Sequence, residues 1–183
     1  MKLVILDRDG VINFDSDEYI KSPEEWAPIP GSLEAISRLH REGYTVVVAS
    51  NQSGVARGLF SMDMLAKIHD KMLTAVRAKG GEIDAIFFCP HGPDDGCRCR
   101  KPLPGLFEEI ATRLNRSLEG VFAVGDSERD VVAARAVSAR PVLLRTGKGE
   151  RTLRKSKSLD SAPVFTDLAA FTDALLAGEL ASV

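Results

Sequence analysis

KLVILDRDGV, residues 2–11, is the stretch on which the fold turns. Lys2–Leu6 (KLVIL) carries apolar, partly β-branched residues without polar alternation, the pattern of a short strand covered on both faces. The run stops at Asp7-Arg8-Asp9-Gly10, where Gly10 permits a sharp turn. Two carboxylates are thus delivered to the rim of whatever sheet the strand joins. Taken alone, Asp7 and Asp9 would be loop-capping aspartates. The ends of the other strands decide between that role and a chemical one.

Outward from this strand, apolar runs alternate with helical patterns. Thr45–Ala49, Ile83–Phe88, Val121–Val124 and Val142–Leu144 read as further buried strands, and Val164–Phe165 as a short edge. Between them, Leu33, Ile36 and Leu39 repeat at helical spacing. Leu65, Ile68, Met72, Ala75 and Val76 form a longer stripe, begun by Ser61 and ended by Gly80-Gly81. Leu106, Phe107, Ile110 and Leu114 follow Pro104, which suits a first helical turn. Val131, Val132, Ala134 and Ala136, then Leu168, Phe171, Leu175 and Leu176, complete the set. Such alternation predicts a single α/β domain over 1–183, a doubly wound, mainly parallel sheet with helices on both faces. Ligands in such sheets bind at the carboxyl ends of the strands. No internal repeat is visible, and the polar, basic stretch Lys148–Pro163 reads as a surface loop.

Composition narrows the function classes. The 183 residues are 44% hydrophobic and 27% charged, ordinary for a soluble globular chain. With 24 basic and 26 acidic residues the net charge is −2, which argues against binding nucleic acid by bulk charge. No apolar run is long enough to span a bilayer, and no secretory signal is read at the start. Three cysteines crowded into residues 89–99 suit metal ligation in a reducing compartment, so a cytoplasmic monomer is expected.

The other strand ends carry chemistry. Ser50-Asn51 follow the second strand, Arg100-Lys101 lie between the third strand and the next helix, and Asp126 follows the fourth in GDSERD. Three carboxylates, a hydroxyl and a lysine on one rim suit phosphoryl transfer through an aspartyl phosphate. A carboxylate approaching a phosphate dianion meets repulsion of roughly 8 kcal/mol at about 4 Å and an effective dielectric near 20. A divalent cation offsets this, and carboxylate oxygens select Mg²⁺. Lys101 adds a second positive charge, Ser50 a hydrogen bond, and Asp9 the proton for the leaving oxygen.

A second constellation lies between the third strand and Lys101. Cys89-x-His91 and Cys97-x-Cys99 supply three thiolates and an imidazole, a closed tetrahedral set for structural Zn²⁺. The intervening Pro90, Gly92, Pro93, Asp94, Asp95 and Gly96 form no regular element, so a metal would fix the loop 89–99 and place Arg100-Lys101. His40 and His69 fall within helical patterns, as surface or core-edge residues. No large insertion follows the first or third strand, so no large cap domain is expected. Asn13–Ile29 and Phe88–Pro102 are the candidate short lids, with Trp26 as a packing anchor.

The ordered set Asp7-Arg8-Asp9-Gly10, Ser50-Asn51-Gln52, Lys101 and Gly125-Asp126 with Asp130 resembles the haloacid-dehalogenase superfamily of Mg²⁺-dependent phosphatases. LDRDGVIN, SNQSGVARG, CPH…CRCRKP and LLRTGKG resemble, within it, the heptose 1,7-bisphosphate phosphatases, whose near relatives are the histidinol-phosphate phosphatases. The resemblance implies Asp7 as nucleophile, Asp9 as general acid/base, and Mg²⁺ on the Asp7 and Asp126 carboxylates and the Asp9 backbone carbonyl. It implies Ser50, Asn51 and Lys101 on the transferred phosphoryl group, Arg100 on the substrate, and removal of the 7-phosphate in nucleotide-activated heptose biosynthesis. Asp130 would steer Lys101, or else be an exposed first-turn acid. Arg57 may be read as a contact of the second phosphate or a solvated arginine; Asp15 and Glu18, in DSDE, as sugar contacts or a hydrophilic turn. Three competing functions are a histidinol-phosphate phosphatase, a zinc-knuckle nucleic-acid module, and a phosphoacceptor domain using Asp7. Asp9 argues against the last, because a residue that activates water shortens the life of an aspartyl phosphate.

Overall fold

The computed structural model describes residues 2–156, 159 and 161–180. Six strands form one parallel sheet: β1 (Lys2–Leu6), β2 (Tyr44–Asn51), β3 (Ala85–Cys89), β4 (Phe122–Gly125), β5 (Arg140–Leu144) and β6 (Val164–Phe165). Their order is β3-β2-β1-β4-β5-β6. The helices are α1 (Ser32–Arg41), α2 (Met62–Ala78), α3 (Gly105–Arg113), α4 (Glu128–Ala136), α5 (Gly149–Lys155) and α6 (Leu168–Leu176). A 3-10 turn covers Pro23–Glu25.

The period-two geometry of a strand explains why β1 is apolar throughout. Val4 and Leu6 face a core shared with α1, α2 and α6, while Leu3 and Ile5 face one shared with α3 and α4. The sheet is therefore covered on both sides, as its sequence predicts. Trp26 packs into the first core and is 2% exposed, with the Lys71 ammonium 5.8 Å from its ring centre. Ser61 caps α2, its hydroxyl accepting from the Met64 amide at 3.1 Å.

Three expectations need correction. Ser50 and Asn51 are the last residues of β2, Asn51 pairing with Cys89 of β3, rather than loop residues beyond it. Pro104 is the residue before α3, not part of its first turn. Lys148–Pro163 is not a loop throughout, because residues 149–155 form α5. That helix is polar on almost every side and buries only Gly149 and Thr152. Periodicity cannot reveal a helix held by two points. Thr152 Oγ1 donates to the Asp126 carbonyl at 3.0 Å, and a Cβ on Gly149 would lie 1.7 Å from the Leu144 carbonyl oxygen.

The strand order reverses at β1, which has β2 on one side and β4 on the other. Chains leaving β1 and β4 diverge there and open a crevice at their carboxyl ends. Among the described residues nothing between the strands forms a separate cap, and no helix is long and apolar enough to cross a membrane.

Candidate active site

The crevice is a cleft of about 290 Å³ lined by residues at or just beyond the ends of β1, β2 and β4 and by loops after β3 and β5, among them Asp7, Asp9, Asn51, Lys101, Asp126 and Asp130. Asp7 begins where β1 stops. Its amide still donates to the Val124 carbonyl at 2.8 Å, so the ladder to β4 extends one residue and sets the carboxylate in the cleft. Gly10 turns the chain at φ 81°, and a Cβ there would stand 2.0 Å from Asp126 Oδ2. Only glycine allows the loop after β1 to approach the carboxylate after β4 this closely.

Lys101 brings its ammonium between Asp7 and Asp130. It is 3% exposed and donates to the Ala49 carbonyl at 2.7 Å, with Asp130 Oδ1 at 2.6 Å and Asp7 Oδ1 at 3.2 Å. Its backbone is held too: the Lys101 amide donates to Asn51 Oδ1 at 3.0 Å, and Asn51 Nδ2 donates to the Lys101 carbonyl at 2.9 Å. Asp130 is buried, not an exposed first-turn acid, and also accepts from the Ser127 amide and hydroxyl at 3.0 and 2.6 Å. Burial pushes Asp130 up, but Lys101 and these donors outweigh it and hold its carboxyl below the usual value.

One ammonium against three carboxylates leaves negative charge uncompensated. Burial first, then neighbouring carboxylates, raise Asp7 to about 7 and Asp126 to about 8. Carboxylate oxygens of Asp7, Asp126 and Asp130 lie within 4.8 Å of one another. Both oxygens of Asp130 are engaged, by Lys101 and Ser127, whereas Asp7 is engaged through Oδ1, by Lys101 and the Arg8 amide, and Asp126 through Oδ2, by the Lys148 amide, so each has a second oxygen to offer a cation. Hard oxygen donors with an excess of negative charge fit a divalent cation such as Mg²⁺.

Asp9 has different surroundings. Arg8 donates to its Oδ1 at 2.8 Å, Asn13 Nδ2 to Oδ1 at 2.9 Å and Gln52 Nε2 to Oδ2 at 2.9 Å. Burial opposes ionisation, yet Arg8 and these donors lower its pKa overall. Arg8 is fully buried, and neither Arg8 nor Gln52 stands out in sequence as a site residue. For Gln52 a signal exists: it lies two residues from Ser50 at a strand end, so the two can share a face.

Two candidates fall outside the cleft wall. Ser50 is fully buried, its hydroxyl accepting from Gln52 Nε2 at 2.7 Å, and does not line the cleft. Its place within β2, not beyond it, explains this. Glu18 is exposed in the turn where Ser16 Oγ accepts from the Glu18 amide, and is also off the wall. Asp15 does line it, paired with Lys148 at 3.0 Å. Arg57 and Arg100 line it as well, Arg57 with its guanidinium 6.0 Å from the Tyr19 ring centre. Arg129 and Lys148 are lining cations that sequence reasoning passed over.

Beside the cleft, the ligand atoms of Cys89, His91, Cys97 and Cys99 also lie within 4.8 Å of one another. Cys89 Sγ is 3.7 Å from Cys97 Sγ and 3.1 Å from Cys99 Sγ, and His91 Nδ1 is 3.3 Å from Cys99 Sγ. Zinc bonds of about 2.3 Å to sulfur and 2.0 Å to nitrogen give tetrahedral edges of about 3.5–3.8 Å. The donor set suits Zn²⁺: the Cys89–Cys97 and Cys89–His91 separations, 3.7 and 3.5 Å, match those edges, the two to Cys99 are shorter, and all three cysteines are free of disulfides. Burial first pushes the Cys89 thiol up to about 12, so a bound cation is what would ionise it.

A parallel sheet reversing at β1, with Asp7, Lys101 and Asp126 at the reversal, defines a hydrolase of the haloacid-dehalogenase-like class, and residues 98–171 match the HAD-hydrolase-like family model. The comparisons go further. A Bordetella bronchiseptica protein named D-glycero-beta-D-manno-heptose-1,7-bisphosphate 7-phosphatase is 56% identical, over 96% of this chain and 98% of its own length. A Pseudomonas putida protein of the same name is 54% identical, over 96% and 100%. The chain belongs to this family of heptose bisphosphate phosphatases. The crystal structure of the B. bronchiseptica D,D-heptose 1,7-bisphosphate phosphatase with magnesium and phosphate superposes with a TM-score of 0.95 at 55% identity. The match covers 97% of this chain and 99% of that one.

Proposed function

We propose that the chain removes the 7-phosphate from D-glycero-beta-D-manno-heptose 1,7-bisphosphate, leaving the 1-phosphate for nucleotide activation of the sugar. The observation that carries this reading is Asp7 facing Lys101 and Asp126 in one cleft, in a chain 56% identical to an enzyme of that name. The names of the relatives favour the beta anomer.

Asp7 attacks phosphorus, the bond from phosphorus to the sugar oxygen breaks, and Asp9 gives that oxygen its proton. Asp9 then takes a proton from the water that attacks the aspartyl phosphate, freeing inorganic phosphate and Asp7. The Arg8 contact keeps Asp9 ionised, which suits this second half. The first half requires Asp9 to exchange Arg8 for the leaving oxygen. The Asp7 and Asp126 carboxylates and the Asp9 backbone carbonyl would hold Mg²⁺, which would supply charge that offsets repulsion between nucleophile and substrate. Lys101 stabilises the transferring oxygens, Asp130 and Asn51 orient Lys101, and Ser50 acts through Gln52 or after a local shift. Arg100 binds the spared phosphate, Arg57 adds a cation at the cleft rim, and Asp15 faces sugar hydroxyls. Zn²⁺ on Cys89, His91, Cys97 and Cys99 is structural. The reading includes a cytoplasmic, single-domain monomer that engages neither nucleic acid nor membrane.

Phosphate release across phosphorylated sugars and histidinol phosphate tests this, with phosphorus NMR of the product. The heptose bisphosphate should have the highest kcat/KM and yield the 1-phosphate. A higher kcat/KM for histidinol phosphate would replace the proposal.

A further inference from the structure

Three residues border two cavities at once. Arg100, Lys101 and Arg129 line the catalytic cleft and also a neighbouring cavity of about 450 Å³. The second cavity is walled by the cysteine loop at Gly92, Pro93, Gly96 and Cys97, and by Pro102 and Leu103. The Lys101 ammonium is committed to Asp7, Asp130 and the Ala49 carbonyl. Lys148, which also lines the cleft, is matched by Asp15, and Arg8, buried behind the wall, by Asp9.

Arg100 and Arg129 differ. Arg100 Nη1 donates to the His91 carbonyl at 3.4 Å, and no carboxylate among the described residues lies within 4 Å of either guanidinium, although Arg129 is near enough to Asp130 to help hold its carboxyl ionised. Both are partly buried. They come from different elements, the cysteine loop and the first turn of α4, and reach the same boundary. Two like charges brought together repel unless an anion joins them, and desolvation strengthens both effects. A guanidinium presents paired N–H groups in the plane that phosphate oxygens accept. Arg57 is less suited, being exposed and stacked over Tyr19.

We infer that Arg129 is a specificity-determining residue that binds, together with Arg100, the phosphate the enzyme does not remove. The inference rests on the bisphosphate reading above. It also gives α4 two adjacent tasks. Asp130 aims the catalytic ammonium inward at the reacting phosphate, and Arg129 faces the remote one. The bound remote phosphate lies away from Asp7 and is spared, while its binding energy orients the group that reacts.

The test compares wild type, Arg129→Ala and Arg129→Lys on the heptose bisphosphate and on a sugar 6-phosphate, with a hexose 1-phosphate as competitive inhibitor. Arg129→Ala should lower kcat/KM for the bisphosphate about tenfold or more, the loss of one charge-assisted hydrogen bond. It should lower kcat/KM for the monophosphate severalfold less than for the bisphosphate, and weaken the inhibitor about as much as the bisphosphate. Arg129→Lys should recover part of the loss. A wild-type enzyme with no preference for the bisphosphate sinks the functional reading and this one with it. A wild-type preference that survives Arg129→Ala, or a loss shared equally by both substrates in a protein of native circular dichroism, overturns the role of Arg129 alone.

Discussion

Replacing Asp7 by Asn keeps the side chain's shape and removes its charge. Turnover should vanish in Asp7→Asn while circular dichroism stays native. Asp9→Asn should also lose turnover, yet keep Mg²⁺ affinity, because the backbone carbonyl remains; isothermal titration with Mg²⁺ separates the two. A folded Asp7→Asn enzyme with near-normal turnover would sink the covalent mechanism. The raised carboxyls make a second prediction. Asp7 and Asp126, at about 7 and about 8 instead of 3.8, hold protons that the unfolded chain has released at neutral pH. Stability from that difference is present at low pH and is lost as pH rises through the folded values. His69, lowered to about 4 chiefly by burial, acts in the opposite sense, but only below its unfolded value of 6.5. The two carboxyls outweigh the single imidazole, so stability should decline from above about pH 4, more steeply past 6.5, and level off by about pH 8.5 in protein free of Mg²⁺. Saturating Mg²⁺ should abolish it, since the cation stabilises the ionised pair. Urea midpoints across that range, with and without Mg²⁺, check this, and identical midpoints would remove the assigned cause. Asp7 and Asp126 were legible because each follows an apolar strand. The partners of Asp9 were not, because Asn13 and Gln52 meet it only after the chain folds back.

Two elements transmit structure to the site. In the turn from β4 to α4, Gly125 lies against Asp130, and a Cβ there would be 2.3 Å from the Asp130 Cβ and Cγ atoms. Gly125→Ala should push Asp130 away from Lys101, lowering kcat by about tenfold or more and stability by about 1–3 kcal/mol. Thermal unfolding and steady-state rates measure both; an unchanged kcat would show that Asp130 does not govern Lys101. The cysteine loop is the other element. It leaves β3 at Cys89 and delivers Arg100 and Lys101, so Zn²⁺ should co-purify at about one per chain. Cys97→Ser should lower zinc content and activity together, although the thiol is not expected to touch substrate. Full activity in zinc-free protein would refute the structural role. The cysteine loop could be read from ligand spacing alone. Helix α5 could not, because its sequence is polar and its anchors, the Asp126 and Leu144 carbonyls, lie in other elements.

Across the whole molecule, the cleft is enclosed by one chain. The loop after β1 is fastened across it by Asp15 to Lys148 at 3.0 Å and Asp17 to Arg151 at 3.4 Å. On the monomeric reading proposed above, light scattering should give the mass of a single chain, and specific activity should not change with enzyme concentration. A dimer whose dilution abolishes activity would contradict this. The sequence by itself determined the α/β class, the two-sided burial of the sheet, Asp7 and Asp126 at strand ends, and the cysteine–histidine ligand set. Those properties are local: apolar period, a turn after a strand, or ligands within eleven residues. Tertiary structure alone decided that β4 lies beside β1, that Asp130 is buried against Lys101, that Ser50 is hydrogen-bonded to Gln52 off the cleft wall, and that Arg129 and Arg100 line the same two cavities. Each of these depends on which strand ends become neighbours, and parallel strands joined by long crossovers bring together residues whose spacing in the chain carries no sign of contact.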